Sequence, residues 1–214
     1  RDMEIRGAGN LLGAEQHGHI AQVGFELYSR LVEQSVKELQ GLEKEKEKFE
    51  PLIELPVSAF ISDDYVSDPR QKIDLYRKIN TVTILADLED LKREFEDRFG
   101  KIPEPSKNLL SIACIKILAQ NMKISSITTE HDNIVIRLLP SALVSHDRIM
   151  DAVRANRGKV IANFGKSPSL RIRRSGLSDP TLLDLIEDTL SIIGNRTPSD
   201  KFGQSFAEAA MQPR

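Results

Sequence analysis

The 214-residue chain has little of several features that mark whole classes of protein. It has one cysteine, Cys114, so it cannot form an internal disulfide, and a reducing, cytoplasmic setting is expected. No apolar run approaches the roughly 18 residues that a membrane helix needs, so no membrane contact is expected. The formal net charge of -2 gives no overall attraction to nucleic acid. A soluble globular protein remains, and its 40% hydrophobic residues are enough for a core.

The chain opens on Arg1 without a signal peptide, and residues 1–6 have the character of mid-protein sequence, so a piece of a longer protein is expected. Residues 1–20 are too glycine-rich for one helix, whereas apolar spacing predicts a helix over 23–39. The alternating charges of 43–48 predict a solvated linker. The predicted units are a helical part (1–50), a mixed α+β domain (51–198) and a disordered polar tail (199–214).

Within the second unit, helical and β-rich patterns alternate, which predicts an α+β fold with short antiparallel strands. The run around Cys114 is apolar on most sides and predicts a buried helix. His131-Asp132-Asn133 predicts a hairpin turn, and Ser178 is a candidate helix cap. Helices are predicted at 69–79, 86–99, 106–121, 145–156 and 179–193, and extended segments at 51–57, 124–129, 133–139, 160–163 and 169–174.

Glycine-containing segments give no nucleotide site. Gly165-Lys166-Ser167 resembles the end of a phosphate-binding loop, but Val160 stands where that motif needs glycine, and a strand-like segment follows. Residues 7–13 follow charged residues and have the wrong spacing for a dinucleotide fingerprint. We predict no catalytic residue and no metal site, since no ligand spacing joins the four histidines, which are His17, His19, His131 and His146.

Residues 2–16 read DMEIRGAGNLLGAEQ. This closely resembles the motif that follows the second motor lobe in transcription-repair coupling factors (Mfd proteins) and in the RecG translocase. The resemblance implies a helical hairpin and loop that couples ATP hydrolysis to movement on duplex DNA. Arg6 and Gln16 match its functional arginine and glutamine, and Gly7, Gly9 and Gly13 match its glycines.

Two later segments decide between those families. IELPVSAFISDDYVSDPRQKIDLYRKI and LEDLKREFEDRFGKIPEP, within residues 53–105, are similar to the carboxy-terminal domain of transcription-repair coupling factors, which RecG lacks. The resemblance implies a regulatory domain that packs on a UvrB-like amino-terminal module of the same protein and masks its UvrA-recruiting surface. RNA polymerase and duplex DNA would then be partners of the whole protein, and ATP and magnesium would bind motor domains that this chain lacks.

The helix predicted at 86–99 carries an acidic stripe beside its apolar one. Steps of about 100° per residue place Asp87, Asp90, Glu94 and Asp97 together, with Arg98 able to relieve part of their repulsion. We predict that this stripe meets a basic surface, namely the UvrA-recruiting face. Acidic residues at the positions of Glu94 and Asp97 are implicated in that contact by the family resemblance.

The alternative interpretation is a nucleic-acid-binding module. Arg171 and Arg173 share one face of a predicted strand, and Arg174 follows, a spacing that could track phosphates. The commoner reason for such charges is an edge strand protected from pairing. An enzyme with an unrecognised site is the least favoured interpretation.

Overall fold

The computed structural model describes residues 49–165 and 167–194. The glycine-rich segment, the 23–39 helix, the 43–48 linker and the 199–214 tail lie outside these residues. The elements in chain order are β1 (Leu52–Glu54), α1 (Pro69–Thr81), α2 (Leu85–Phe99), α3 (Glu104–Met122), β2 (Ile124–Glu130), β3 (Asn133–Leu138), α4 (His146–Ala155), β4 (Val160–Asn163), β5 (Ser169–Arg173) and α5 (Asp179–Ile193).

The strands form one five-stranded mixed sheet in the order β1-β2-β3-β5-β4. The predicted hairpin is confirmed: β2 and β3 are antiparallel, and His131 in the turn has φ 55°, in the left-handed region that tight turns require. β5 pairs with β3 and β4, both antiparallel. β1 is parallel to β2, with Leu52 opposite Ser126, which the prediction of antiparallel strands did not include.

The sheet has two different faces. Buried isoleucines and leucines at alternate positions face the helices, of which α3 contacts β2 and α4 contacts β4. The opposite face carries the exposed Arg171 and Arg173. The buried residues that line the helix-facing side are Ile53, Ile127, Ile134, Ile136, Val160, Leu170 and Ile172.

Helix α3 is the centre of the core. Most of its residues are buried, and the prediction that Cys114 lies in a buried helix is confirmed. It contacts α1, α2, α5 and β2. A helix that is apolar on most sides must be covered on most sides, and these four neighbours cover it.

Helix boundaries follow local chemistry. Asp68 caps α1 by accepting a hydrogen bond from the N–H of Arg70 at 2.8 Å. Gly100 ends α2 with φ 79°. Pro105 lies in the first turn of α3, where its missing N–H costs nothing, so α3 begins at Glu104, two residues before the predicted helix. Ser178 occupies the predicted cap position of α5, but its side chain makes no capping bond, and its hydroxyl lies 2.8 Å from that of Thr181.

The segment after β1 is fixed to two helices by polar contacts. The N–H of Ser58 donates to the Asp179 carboxylate at 2.9 Å, and Asn108 donates to the Ser58 carbonyl at 2.9 Å. Ser106 donates to the carbonyl of Phe60 at 3.0 Å. These bonds hold the segment across the amino-terminal ends of α3 and α5.

We expect Ile136→Ala to lower the free energy of unfolding by about 2–5 kcal/mol, because the side chain is fully buried in the sheet–helix core. Urea denaturation monitored by circular dichroism measures this change. Ile161→Ala is the control, since Ile161 is 62% exposed on the same sheet and should change stability little. Equal losses in the two variants would contradict the assigned sheet faces.

Candidate interaction surface on an acidic helix

Helix α2 packs with the apolar face that its sequence predicts. Leu88, Leu91 and Phe95 are buried and Phe99 is partly buried, so the helix is fixed in rotation against α1 and α3. The acidic positions therefore face away from the core. This orientation decides which carboxylates are available to another molecule.

Tyr65 fixes the carboxy-terminal end of α2. Its hydroxyl lies 3.0 Å from the carbonyl oxygen of Phe95 and 3.1 Å from that of Gly100, and it donates to these acceptors. Its ring meets that of Phe99 edge-on, with 5.8 Å between centroids. Burial, with a smaller effect of the Glu96 charge, raises the pKa of Tyr65 to about 12, so the hydroxyl keeps its proton at neutral pH.

Glu94 is bound within the domain. Lys78 Nζ lies 2.6 and 2.7 Å from its two carboxylate oxygens, and Arg98 Nη1 lies 2.5 Å from one of them. The hydrogen bond from Lys78 is the main cause that lowers the pKa of Glu94; burial opposes it, and Arg98 adds to it. The predicted relief by Arg98 is therefore confirmed, and Glu94 joins α2 to α1.

The other acids of the stripe face solvent. Asp90 lies 3.2 Å from Arg93, but both side chains are about 70% exposed, so this pair is weak. Asp87 and Asp97 are exposed, and neither forms an ion pair or hydrogen bond with another described residue. Among the predicted interface residues, the structure thus separates an internally bound Glu94 from Asp87, Asp90 and Asp97, whose charges are open to a partner.

A buried lysine on the same helix was missed by the sequence analysis. Lys92 is 3% exposed, and burial lowers its pKa, while the charges of Glu89, Glu96 and Glu187 oppose that effect. The signal was available, since position 92 follows Leu88 by four residues and precedes Phe95 by three, on the edge of the apolar stripe. Lys92 therefore belongs to the packing side of α2 and not to its exposed surface.

The basic residues of the alternative interpretation lie elsewhere. Arg171 and Arg173 are exposed on β5, and Arg174 is partly buried beyond its end. The interpretation of this segment as an edge strand is wrong, because β4 pairs with its outer side and leaves β5 inside the sheet. Protection from edge pairing therefore does not account for these charges.

Several predicted residues lie outside the described part of the chain, namely Arg6, Gly7, Gly9, Gly13 and Gln16. Within residues 49–165 and 167–194, no three histidine, cysteine, aspartate or glutamate side chains form a group that could hold a metal ion. None of the helices in those ranges combines the length and the apolar composition of a membrane-spanning segment.

Comparison with known proteins identifies the class to which this domain belongs. Residues 55–149 match the TRCF domain family. The fold is similar to that in "Crystal structure of C-terminal domain of transcription-repair coupling factor", with a TM-score of 0.62 at 22% identity, over 73% of this chain and 99% of that one. The domain is thus of the TRCF type and is not a motor domain.

Longer relatives of the chain support the same family assignment. The transcription-repair-coupling factor of Myxococcus xanthus is 35% identical over 192 residues, which are 90% of this chain and 16% of that protein. The one from Bacillus subtilis (strain 168) is 36% identical over 147 residues, 69% of this chain and 12% of that protein. The chain belongs to the transcription-repair coupling factor family, and it spans 12–16% of the length of these two relatives.

We expect Glu94→Gln to lower stability near neutral pH and to lose this effect in acid. A carboxylate whose pKa is lowered on folding contributes stability that is fully present above its unfolded pKa of about 4.3. That contribution is lost as the pH falls through this value towards the lower folded pKa. Urea unfolding of both chains between neutral pH and acid measures the difference.

The control places Glu94→Gln in a Lys78→Met chain, which removes the main cause of the shift. The pH-dependent difference should shrink there. A difference between wild type and Glu94→Gln that does not change with pH would contradict the ion-pair assignment.

Proposed function

We propose that residues 51–198 are a regulatory domain that covers the UvrA-recruiting surface of the UvrB-like module in the same protein. The outward-facing acids of α2, which are Asp87, Asp90 and Asp97, make the contact, and we call them the acidic face of α2. Release of the domain exposes the UvrA site, so that repair proteins are recruited only after a stalled RNA polymerase has been engaged. This domain performs no bond chemistry and needs no cofactor.

The proposal rests on one observation: the acidic residues of α2 are compensated to different extents by cations of the same domain. Like charges along one helix face repel each other, by a few tenths of a kcal/mol per pair. The domain compensates Glu94 with Lys78 and Arg98, yet it leaves Asp87 and Asp97 without a described partner. Asp97 lies in the last turn, where the helix dipole also disfavours an acid. A basic partner surface would remove both costs.

Exposed ion pairs suit a contact that must open. Each is worth only ~0.2–1 kcal/mol and weakens with salt. Several together hold the domain in place, and a modest movement elsewhere in the protein can separate them. Glu94 has a different part in this proposal, since its bond to Lys78 keeps α1 and α2 together while the outer acids engage and release.

The whole protein is proposed to be a DNA translocase that displaces stalled RNA polymerase. Its ATP and magnesium would bind in motor domains outside this chain. Residues 2–16 would couple hydrolysis to movement, with Arg6 and Gln16 as the coupling side chains and Gly7, Gly9 and Gly13 as the bends. The support for this part is the sequence resemblance of that segment.

Asp97→Lys in the full-length protein should raise the affinity for UvrA several-fold, because it replaces an attractive charge of the covering surface by a repulsive one. Lysine is favourable in the last turn of a helix, so the domain should stay folded. UvrA binding measured by biolayer interferometry, with thermal unfolding measured alongside, tests the proposal. Glu94→Lys is less suitable, because it would also bring a third cation beside Lys78 and Arg98.

Asp151→Lys is the matched control. Asp151 is an exposed aspartate on α4, which packs on α5 and β4, and its substitution changes the net charge by the same amount. UvrA affinity should stay at the wild-type value in this variant. Unchanged UvrA affinity in a folded Asp97→Lys protein, or the same rise in both variants, would rule out a contact through the acidic face.

A further inference from the structure

The sheet face opposite to the helices, which we call the open face, carries a group of cations. This group lies apart from the acidic residues of α2. Arg171 and Arg173 lie on this face of β5, and the N–H of Arg173 donates to the carbonyl of Lys159 at 3.3 Å, so Lys159 stands across from it. Arg157 lies in the preceding turn with φ 44°. All four side chains are exposed. We call Arg157, Lys159, Arg171 and Arg173 the basic patch.

The charge of the basic patch is not compensated by the rest of the described domain. None of its four residues forms an ion pair or hydrogen-bonded contact through its side chain with another described residue. Of the acids of β2 and its turn, Glu130 pairs with Arg137, and Asp132, which accepts a hydrogen bond from the Ser175 hydroxyl at 2.5 Å, forms no ion pair with the patch. The patch therefore presents a local positive surface on a chain whose net charge is -2.

The spacing of the patch suits a polyanion. Residues two apart on a strand are about 7 Å apart on the same face, and directly opposed residues on paired strands are about 5 Å apart. Arg171 and Arg173 thus form a row, and Lys159 lies beside Arg173 on the side of the neighbouring strand. Guanidinium groups can bind phosphate oxygens with two hydrogen bonds. A ligand with regularly placed phosphates can contact several of these cations at once.

The surroundings favour duplex over single-stranded nucleic acid. Among the described residues of this face, the neighbours of Arg171 and Arg173 are Val135, Asn133 and Ile161, and none is aromatic. Phe164, just beyond β4, packs instead on His146, with 4.4 Å between ring centroids. Proteins that hold single strands stack bases on aromatic side chains, which this face does not offer.

We propose that the basic patch binds the phosphate backbone of duplex DNA without sequence preference. The contact is independent of the proposed covering of the UvrA site, because Arg171 and Arg173 lie on the sheet face opposite to the helices, whereas Asp97 lies on α2. Failure of either proposal leaves the other standing.

The test compares the 214-residue chain with its Arg171→Ala/Arg173→Ala variant. Fluorescence anisotropy measures binding to a labelled 25-base-pair duplex of mixed sequence at several salt concentrations from about 50 to 200 mM, the range over which phosphate contacts change affinity strongly. Each lost phosphate contact lowers the slope of log K against log salt by about 0.9, so the double variant should lower it by about 2 and bind more weakly at every salt concentration. Both side chains are exposed, so thermal unfolding should be unchanged.

Arg70→Ala/Lys101→Ala is the matched control, since it removes two exposed cations from the helical side and changes the net charge equally. It should keep the wild-type slope. A slope for Arg171→Ala/Arg173→Ala equal to that of the control would overturn the proposal. Equal affinity for a single strand of the same length would overturn the duplex preference, and competition by poly-glutamate as strong as that by DNA would assign the patch to an acidic protein surface instead.

Discussion

The all-round burial of α3 is the constraint on which the rest of the domain depends. A 19-residue helix with little polar surface cannot lie at the edge of a protein, so it needs neighbours on every side. The sheet supplies one through β2, α5 supplies another, and α1 and α2 supply the third. The outer helices therefore owe their positions to α3, and the direction of the acidic face of α2 follows from this packing.

Local signals in the sequence predicted most of the fold because most elements here are decided locally. The bounds of α5 and β4 were predicted to the residue, and the β2–β3 hairpin followed from its turn. The parallel pairing of Leu52 with Ser126 could not be predicted, because it joins distant segments and has no local pattern.

The candidate site shows more clearly that local sequence patterns do not predict contacts between distant segments. Helical periodicity placed Asp87, Asp90, Glu94 and Asp97 on one face, but it could not distinguish the carboxylate that a neighbouring helix neutralises from those that remain open. That distinction depends on Lys78, which belongs to α1. Glu94 lies on the predicted side of the helix, but its contact with Lys78 makes it part of the α1–α2 packing and not of the open acidic surface.

A near-zero net charge conceals an uneven distribution. On α2, Asp87 and Asp97 have no described partners, and the same is true of Arg157 and Lys159 before β4 and of Arg171 and Arg173 on β5. The sheet and α3 lie between the two groups, so neither neutralises the other at close range. The domain therefore offers two electrostatically opposite surfaces, and composition alone averages them away.

The shortness of β1 has a mechanical consequence. This strand has three residues, lies at the edge of the sheet and is held by its pairing with β2 alone among the strands. Tension that enters the domain along the chain before residue 52 would load the weak ion pair of Glu50 with Lys116 and then this pairing. If the strand detached, the load would pass to the hydrogen bonds of Ser58 with Asp179 and Asn108, which hold the chain to two core helices. The domain would thus yield in two stages, and a small pull would shorten the sheet by one strand while the packing around α3 stayed intact.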